Sequence, residues 1–169
     1  MNSCNNTPNM EKELKNFISN HENEVVAVIK ESNIAFWNAS ISGKEEDYAK
    51  AEELQLKLVK IYSNKEKFGI LKKIKESGLI KDDLLLRQLT VLYHYFLKSM
   101  ADTTLLKEIV SMEVAIEKKY SNFRAECNGK KLTDNEVEEI LNNSTNENEL
   151  KDAWMAHKNI GPLVSEDIK

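Results

Sequence analysis

Residues that, His21 apart, are apolar or small recur at alternating steps of four and three at Leu14, Ile18, His21, Val25, Val28, Ser32, Ala35 and Ala39. That rhythm holds one stripe on one face of an α-helix, whereas a strand would need steps of two. No glycine or proline interrupts it, so a single helix is expected over residues 10–41. A helix this long cannot bury its stripe alone and must be covered by others. Towards its end a second face turns apolar at Ile34, Trp37 and Ile41. A helix apolar on two faces is covered on both sides or lines a cleft. His21 sits in the first stripe, where a half-buried, hydrogen-bonded histidine is expected rather than a ligand.

The rest of the chain obeys the same rule. Gly (5) and Pro (2) are scarce among 169 residues, which favours helix nearly throughout. Gly43 supplies a stop for the first helix. Ser42, Ser63, Thr133 and Ser144 each precede a Glu by three residues, the capping-box spacing that starts a helix. Asp82 and Asp102 or Thr103 offer further N-caps, and Gly78 a further stop. The expected inward stripes are Ala51, Leu54, Leu58 and Ile61; Phe68, Leu71 and Ile74; Leu85, Leu89, Leu92, Phe96 and Met100; and Leu105, Ile109, Met112, Ile116 and Tyr120. In the last helix Leu150, Trp154 and His157 are expected to face inward. Gly161-Pro162 reads as a breaker pair, although Leu163, Val164 and Ile168 carry the apolar spacing on. Lys169 therefore reads as a cut within an element.

Near residues 122–132 the period changes. Phe123, Ala125 and Cys127 alternate with Arg124 and Glu126 and run into Asn128-Gly129, a strong hairpin signal. The expected fold is all-α: an antiparallel array of about seven helices with a small β-hairpin or extended turn there. Residues 1–10 are expected to be a flexible tail and 11–169 a single helical domain, the N-terminal part of something larger.

The net charge of -4 gives no reason to expect nucleic acid as a partner. Two cysteines, Cys4 and Cys127, are too few for a disulfide framework or a thiolate zinc site. The start, MNSCNNTPNM, lacks a signal-peptide apolar core but resembles a mature bacterial lipoprotein, with Cys4 as the lipidated residue. The alternatives are a cytoplasmic protein with an ordinary tail and a lipoprotein on the cell envelope. No His-Glu-x-x-His, Gly-x-Ser-x-Gly or phosphate-binding glycine loop occurs. His21, His94 and His157 fall on separate predicted helices, and none follows a Glu by three residues, which removes the di-iron bundle pattern. No catalytic residue and no metal ligand is assigned, and no cofactor is expected in this chain.

Four stretches, in order, carry a resemblance. They are WNASISGKEEDYAKAEEL, KDDLLLRQLTVLYHYFL, YSNFRAECNGKKLTDNE, and the Asn-Ser-Thr…Leu-Lys-x-Ala-Trp-x-Ala-x-Lys-x-Ile-Gly pattern over residues 143–161. Together they resemble the N-terminal helical lid of zinc-dependent peptidases, the angiotensin-converting-enzyme-like peptidyl-dipeptidases and the thimet/oligoendopeptidase group, over residues 12–168. The resemblance implies the substrate-cleft portion of an oligopeptidase, with short peptides as substrates and zinc in the full-length enzyme, held by residues further along. The portion present would not be catalytic on its own. Trp37, Asn38 and Ser40 would face the cleft, or else pack beneath the lid. Arg124 is expected in a structural salt bridge and Trp154 in core packing. A lid without its other half would self-associate, through the last helix or the second face of the first. The alternative is a stand-alone helical module that binds peptides or a protein partner.

Overall fold

The computed structural model describes residues 7–169. Cys4 and most of the expected tail lie outside the described residues. Eight helices and one hairpin follow in order among them: α1 (Thr7–Ser42), α2 (Glu45–Tyr62), α3 (Lys65–Ser77), α4 (Asp83–Lys98), α5 (Thr103–Asn122), β1 (Ala125–Cys127), β2 (Lys130–Leu132), α6 (Asp134–Asn143), α7 (Glu147–Lys158) and α8 (Ile160–Ile168). No helix is long and apolar enough to cross a membrane among the described residues.

With 36 residues, α1 is about 54 Å long and serves as the strut of the array. It touches α2, α3, α4 and α5. Its stripe changes character along its length. The first half buries large side chains, Leu14 and Ile18, with Leu71, Ile74, Ile80, Leu85, Leu89 and Phe96 from α3, α4 and the loop between them. Burying each such side chain contributes roughly 1.5–3 kcal/mol. The second half presents Ser32, Ala35 and Ala39, small residues that let neighbours approach closely. Ala35 meets Ala51 and Leu54 of α2. Ala39 meets Tyr48 of α2 and Val110 and Val114 of α5.

The corner between α1 and α2 is built on Gly43. Its φ of 67° is left-handed, and its N–H closes the last turn on Ala39 O at 2.9 Å. The Asn122 side chain, at the end of α5, donates to Gly43 O at 3.4 Å and to Lys118 O at 3.0 Å. The α1–α2 corner is thereby docked on α5.

Of the four expected capping boxes, Thr133–Glu136 forms in full: the Thr133 hydroxyl accepts from Glu136 N, and Glu136 accepts from Thr133 N at 2.7 Å. At the other three the structure differs. Ser42 is still helical and belongs to α1, so Lys44 precedes α2 with no side-chain cap. Ser63 and Ser144 are displaced by asparagines that follow them: Asn64 caps α3 and Asn146 caps α7. Asp82 and Asp102 cap α4 and α5 as expected, and Gly78 closes α3 in the left-handed conformation.

In the hairpin, Ala125 pairs with Leu132, Glu126 with Lys131 and Cys127 with Lys130. Asn128 and Gly129 both have positive φ, 53° and 75°, as a type I′ turn requires. Ala125 and Cys127 point to one side and are buried against Val137 of α6 and Ala153 and Ala156 of α7. The final helix is broken at Asn159, ahead of Gly161-Pro162. Pro162 is accommodated because it falls in the first turn of α8, where its missing N–H has no intrahelical partner to lose. Lys119 of α5 donates to Leu163 O at 3.4 Å and pairs with Asp167, which fixes α8 on α5.

Two inward faces were expected elsewhere. On α5 the buried residues are Val110 and Val114, while Leu105, Ile109, Met112 and Tyr120 are exposed. The two stripes lie on nearly opposite sides of the helix, and the narrower valine stripe is the one that fits the tight α1–α2 junction. On α7 the small pair Ala153 and Ala156 packs on the hairpin, so Trp154 is 52% exposed with the Lys158 ammonium 5.8 Å from its ring centroid. The expected core role of Trp154 is corrected accordingly.

Candidate functional site

Side chains of α1 and α2 enclose a groove of about 290 Å³, lined by Glu31, Ile34, Ala35 and Asn38 of α1 and Asp47, Lys50 and Leu54 of α2. The helical period brings Glu31, Ala35 and Asn38 to one face. Ala35 and Leu54 form an apolar floor and belong to the buried junction of the two helices. The mouth is polar. Lys50 is held by Glu53 at 2.9 Å, and Asp47 accepts a short hydrogen bond from Ser42. Such a groove can accept amide or ammonium donors at its carboxylates and an apolar side chain on its floor. It carries no nucleophile–base pair.

Of the three candidate residues, Asn38 lines this groove. Trp37 is 68% exposed beside it, continuous with Ile34 and Ile41 at 50% and 70%. Ser40 does not line the groove, and its hydroxyl donates to Phe36 O at 3.0 Å along its own helix. Asn38 and Trp37 are both exposed, but only Asn38 lines the groove, and Ser40, on the far side of α1 from Asn38, lies one turn from Trp37. Sequence reasoning missed Glu31, Asp47 and Lys50, because they become neighbours only through the α1–α2 packing.

The histidines stay apart. His94 is exposed on α4, and His157 Nε2 lies 3.7 Å from Asp134 Oδ1. His21 is 4% exposed, with neither ring nitrogen hydrogen-bonded. This corrects the expected hydrogen-bonded histidine: the walls around it are rings, with centroids at 5.1 Å for Tyr62, 5.4 Å for Phe96 and 6.1 Å for Phe17, and they present few acceptors. Burial, and secondarily the Lys67 ammonium, lowers its pKa below the ordinary 6.5. Among the described residues no group of three His, Cys, Asp or Glu is placed to hold a metal ion.

A pH dependence follows from His21. In the unfolded chain it takes up a proton below about pH 6.5, while the folded protein resists it. Stability should be full above that pH and fall as pH drops through it, by at most about 1.4 kcal/mol per pH unit. Urea denaturation at a series of mildly acidic pH values checks this. His21→Leu should flatten the dependence in that window, and an unchanged slope in the variant would refute it.

The shifted carboxylates serve structure. Backbone N–H groups of Leu105 and Thr104 lower Asp102, the Thr133 amide and hydroxyl lower Glu136, and Lys50 and Lys57 lower Glu53. Arg124 forms no salt bridge among the described residues. Its guanidinium instead donates to Ser121 O at 3.0 Å and Phe123 O at 2.6 Å, satisfying carbonyls exposed where α5 ends.

Comparison with known proteins gives one family. A family model described as angiotensin-converting enzyme matches residues 8–166. No curated protein and no solved structure matches the chain.

Proposed function

The chain belongs to the angiotensin-converting enzyme family of peptidases, and from that premise we propose that its helices form the substrate-side lid of a zinc-dependent oligopeptidase. The family implies zinc for its full-length enzymes, but the described residues do not fit a zinc site. His21 is sealed among rings, and His94 and His157 stand on α4 and α7 without further ligands. The 169 residues contain no His-Glu-x-x-His. Their role in the reaction is therefore to admit, orient and enclose the peptide, while Lewis-acid chemistry on the scissile carbonyl belongs to other residues.

The observation that carries this reading is the accessible face of α1. Trp37, Ile34 and Ile41 are large apolar side chains left bare next to the groove that Asn38 lines. Apolar surface bordered by hydrogen-bonding groups is what an extended peptide needs from a cleft wall. Asn38 would hold a peptide amide and Trp37 would cover an apolar side chain.

Two measurements test it. With zinc supplied, the 169-residue chain should not hydrolyse a fluorogenic oligopeptide; hydrolysis by the chain alone would sink the lid assignment. Fusion to the His-Glu-x-x-His region of a family member should give turnover. In that fusion Trp37→Ala should raise KM roughly tenfold with kcat little changed, the signature of lost ground-state binding. An unmoved KM would remove Trp37 from the cleft. Tight, zinc-independent peptide binding by the chain alone would favour the stand-alone binding module instead.

A further inference from the structure

The face of α1 turned away from the Asn38 groove closes a second cleft, of about 390 Å³, against α2 and α5. Its lining includes Ser32, Asn33 and Phe36 of α1, Gln55 of α2 and Glu113 and Glu117 of α5. Glu113 and Glu117 lie one helical turn apart, where like charges repel. Neither has a cationic partner among the described residues. The basic residues that follow them on α5 are engaged elsewhere: Lys118 pairs with Glu45 and Lys119 with Asp167. Gln55 Oε1 is closed off from solvent with no hydrogen-bond donor against it. A buried acceptor left unmatched is costly and rare. Ser32, 6% exposed, adds a hydroxyl inside the cleft.

We propose that this cleft binds an alkylammonium or guanidinium cation. Apart from Val114, the groups that line it are two carboxylates, an aromatic ring, and amides and a hydroxyl whose oxygens can accept. Two carboxylates supply charge, the Gln55 and Asn33 carbonyls and the Ser32 hydroxyl accept N–H bonds, and the Phe36 ring offers a face to a cation. A guanidinium matches best, because its planar fork donates to a carboxylate and to neighbouring acceptors at once. A bare metal ion fits poorly, since the cleft supplies two carboxylates and no third charged ligand. The cation could arrive free or as the side chain of a basic peptide; the chemistry is shared. The site is on the opposite side of α1 from Asn38 and stands independently of the lid assignment.

Amide NMR on the whole chain tests this, with N-acetyl-arginine amide as the peptide-like probe, agmatine as the free cation and N-acetyl-citrulline amide as the neutral isostere. Both cations should give saturable shifts at Ser32, Gln55 and Glu113, weakening as salt is added. The stronger of the two identifies the source. The citrulline probe should give none. The double variant Glu113→Gln/Glu117→Gln replaces exposed side chains and should keep its circular dichroism while losing affinity about tenfold or more. Equal binding of the citrulline probe, undiminished binding by the double variant, or shifts that do not saturate would each overturn the proposal.

Discussion

Phe96→Ala is expected to destabilise the protein by about 3–5 kcal/mol, as for other large-to-small changes at fully buried aromatics. Phe96 has no exposed surface and packs with the Leu14, Ile18, Leu71, Ile74 and Leu89 cluster. Its ring lies edge-on to Tyr62 at 5.2 Å and to Phe17 at 6.1 Å. Removing it leaves a hole where α1, α2 and α4 converge, and three helix backbones cannot all move to fill it. For a chain of this size each kcal/mol shifts Tm by about 2–4 °C, so a fall near 12 °C is expected. The control is Leu84→Ala on the same helix, where the side chain is 69% exposed and the change should stay within about 0.5 kcal/mol. Urea unfolding followed by circular dichroism reads both. Equal losses from the two variants would mean that the inward face of α4 is misassigned.

The second large effect is expected at the α1–α2 corner. Gly43→Ala should cost about 2–3 kcal/mol, combining the left-handed penalty with displacement of a neighbour. A Cβ at Gly43 would lie 2.3 Å from Asn122 Oδ1. Asn122 would have to swing out and give up its bonds to Gly43 O and Lys118 O. The two contributions separate in a double-mutant cycle. Asn122→Ala alone loses only its hydrogen bonds, about 1 kcal/mol, and then removes the obstacle, so the double variant should be markedly less unstable than the sum. Strict additivity would show that Asn122 gives way freely and that backbone strain alone sets the loss.

Legibility in the sequence follows the physics of each signal. The α1 stripe was readable because every member but His21 is apolar or small; Leu14, Ile18, His21, Val25, Ser32, Ala35 and Ala39 are buried and Val28 is partly buried. The hairpin was readable because Asn128-Gly129 suits positive φ at both turn positions. On α5 and α7 hydrophobic size is a poor guide to burial. Tight junctions there select small side chains, so Val110 and Val114 displace Leu105 and Met112, and Ala153 and Ala156 displace Trp154. Capping boxes failed where a better cap stood nearby: Asn64 and Asn146 took the role from Ser63 and Ser144. At the candidate site, Trp37 and Asn38 could be chosen from their place in α1. The groove partners Asp47 and Lys50, and the acceptors around Gln55, depend on how three helices pack, which no local pattern encodes.

The two kinds of core have different folding consequences. The buried residues beneath the hairpin all lie between Ala125 and Ala156, so that cluster closes over short stretches of chain. The Leu14–Phe96 cluster instead joins residues from opposite ends of a long segment that includes all of α2 and α3. Loop-closure entropy rises with the length enclosed, and contacts distant in sequence are made late. The hairpin with α6 and α7 can therefore condense as its own early unit. The strut α1 is then the slow piece: its first half completes its core only after α3 and α4 have both been made and have turned back upon it.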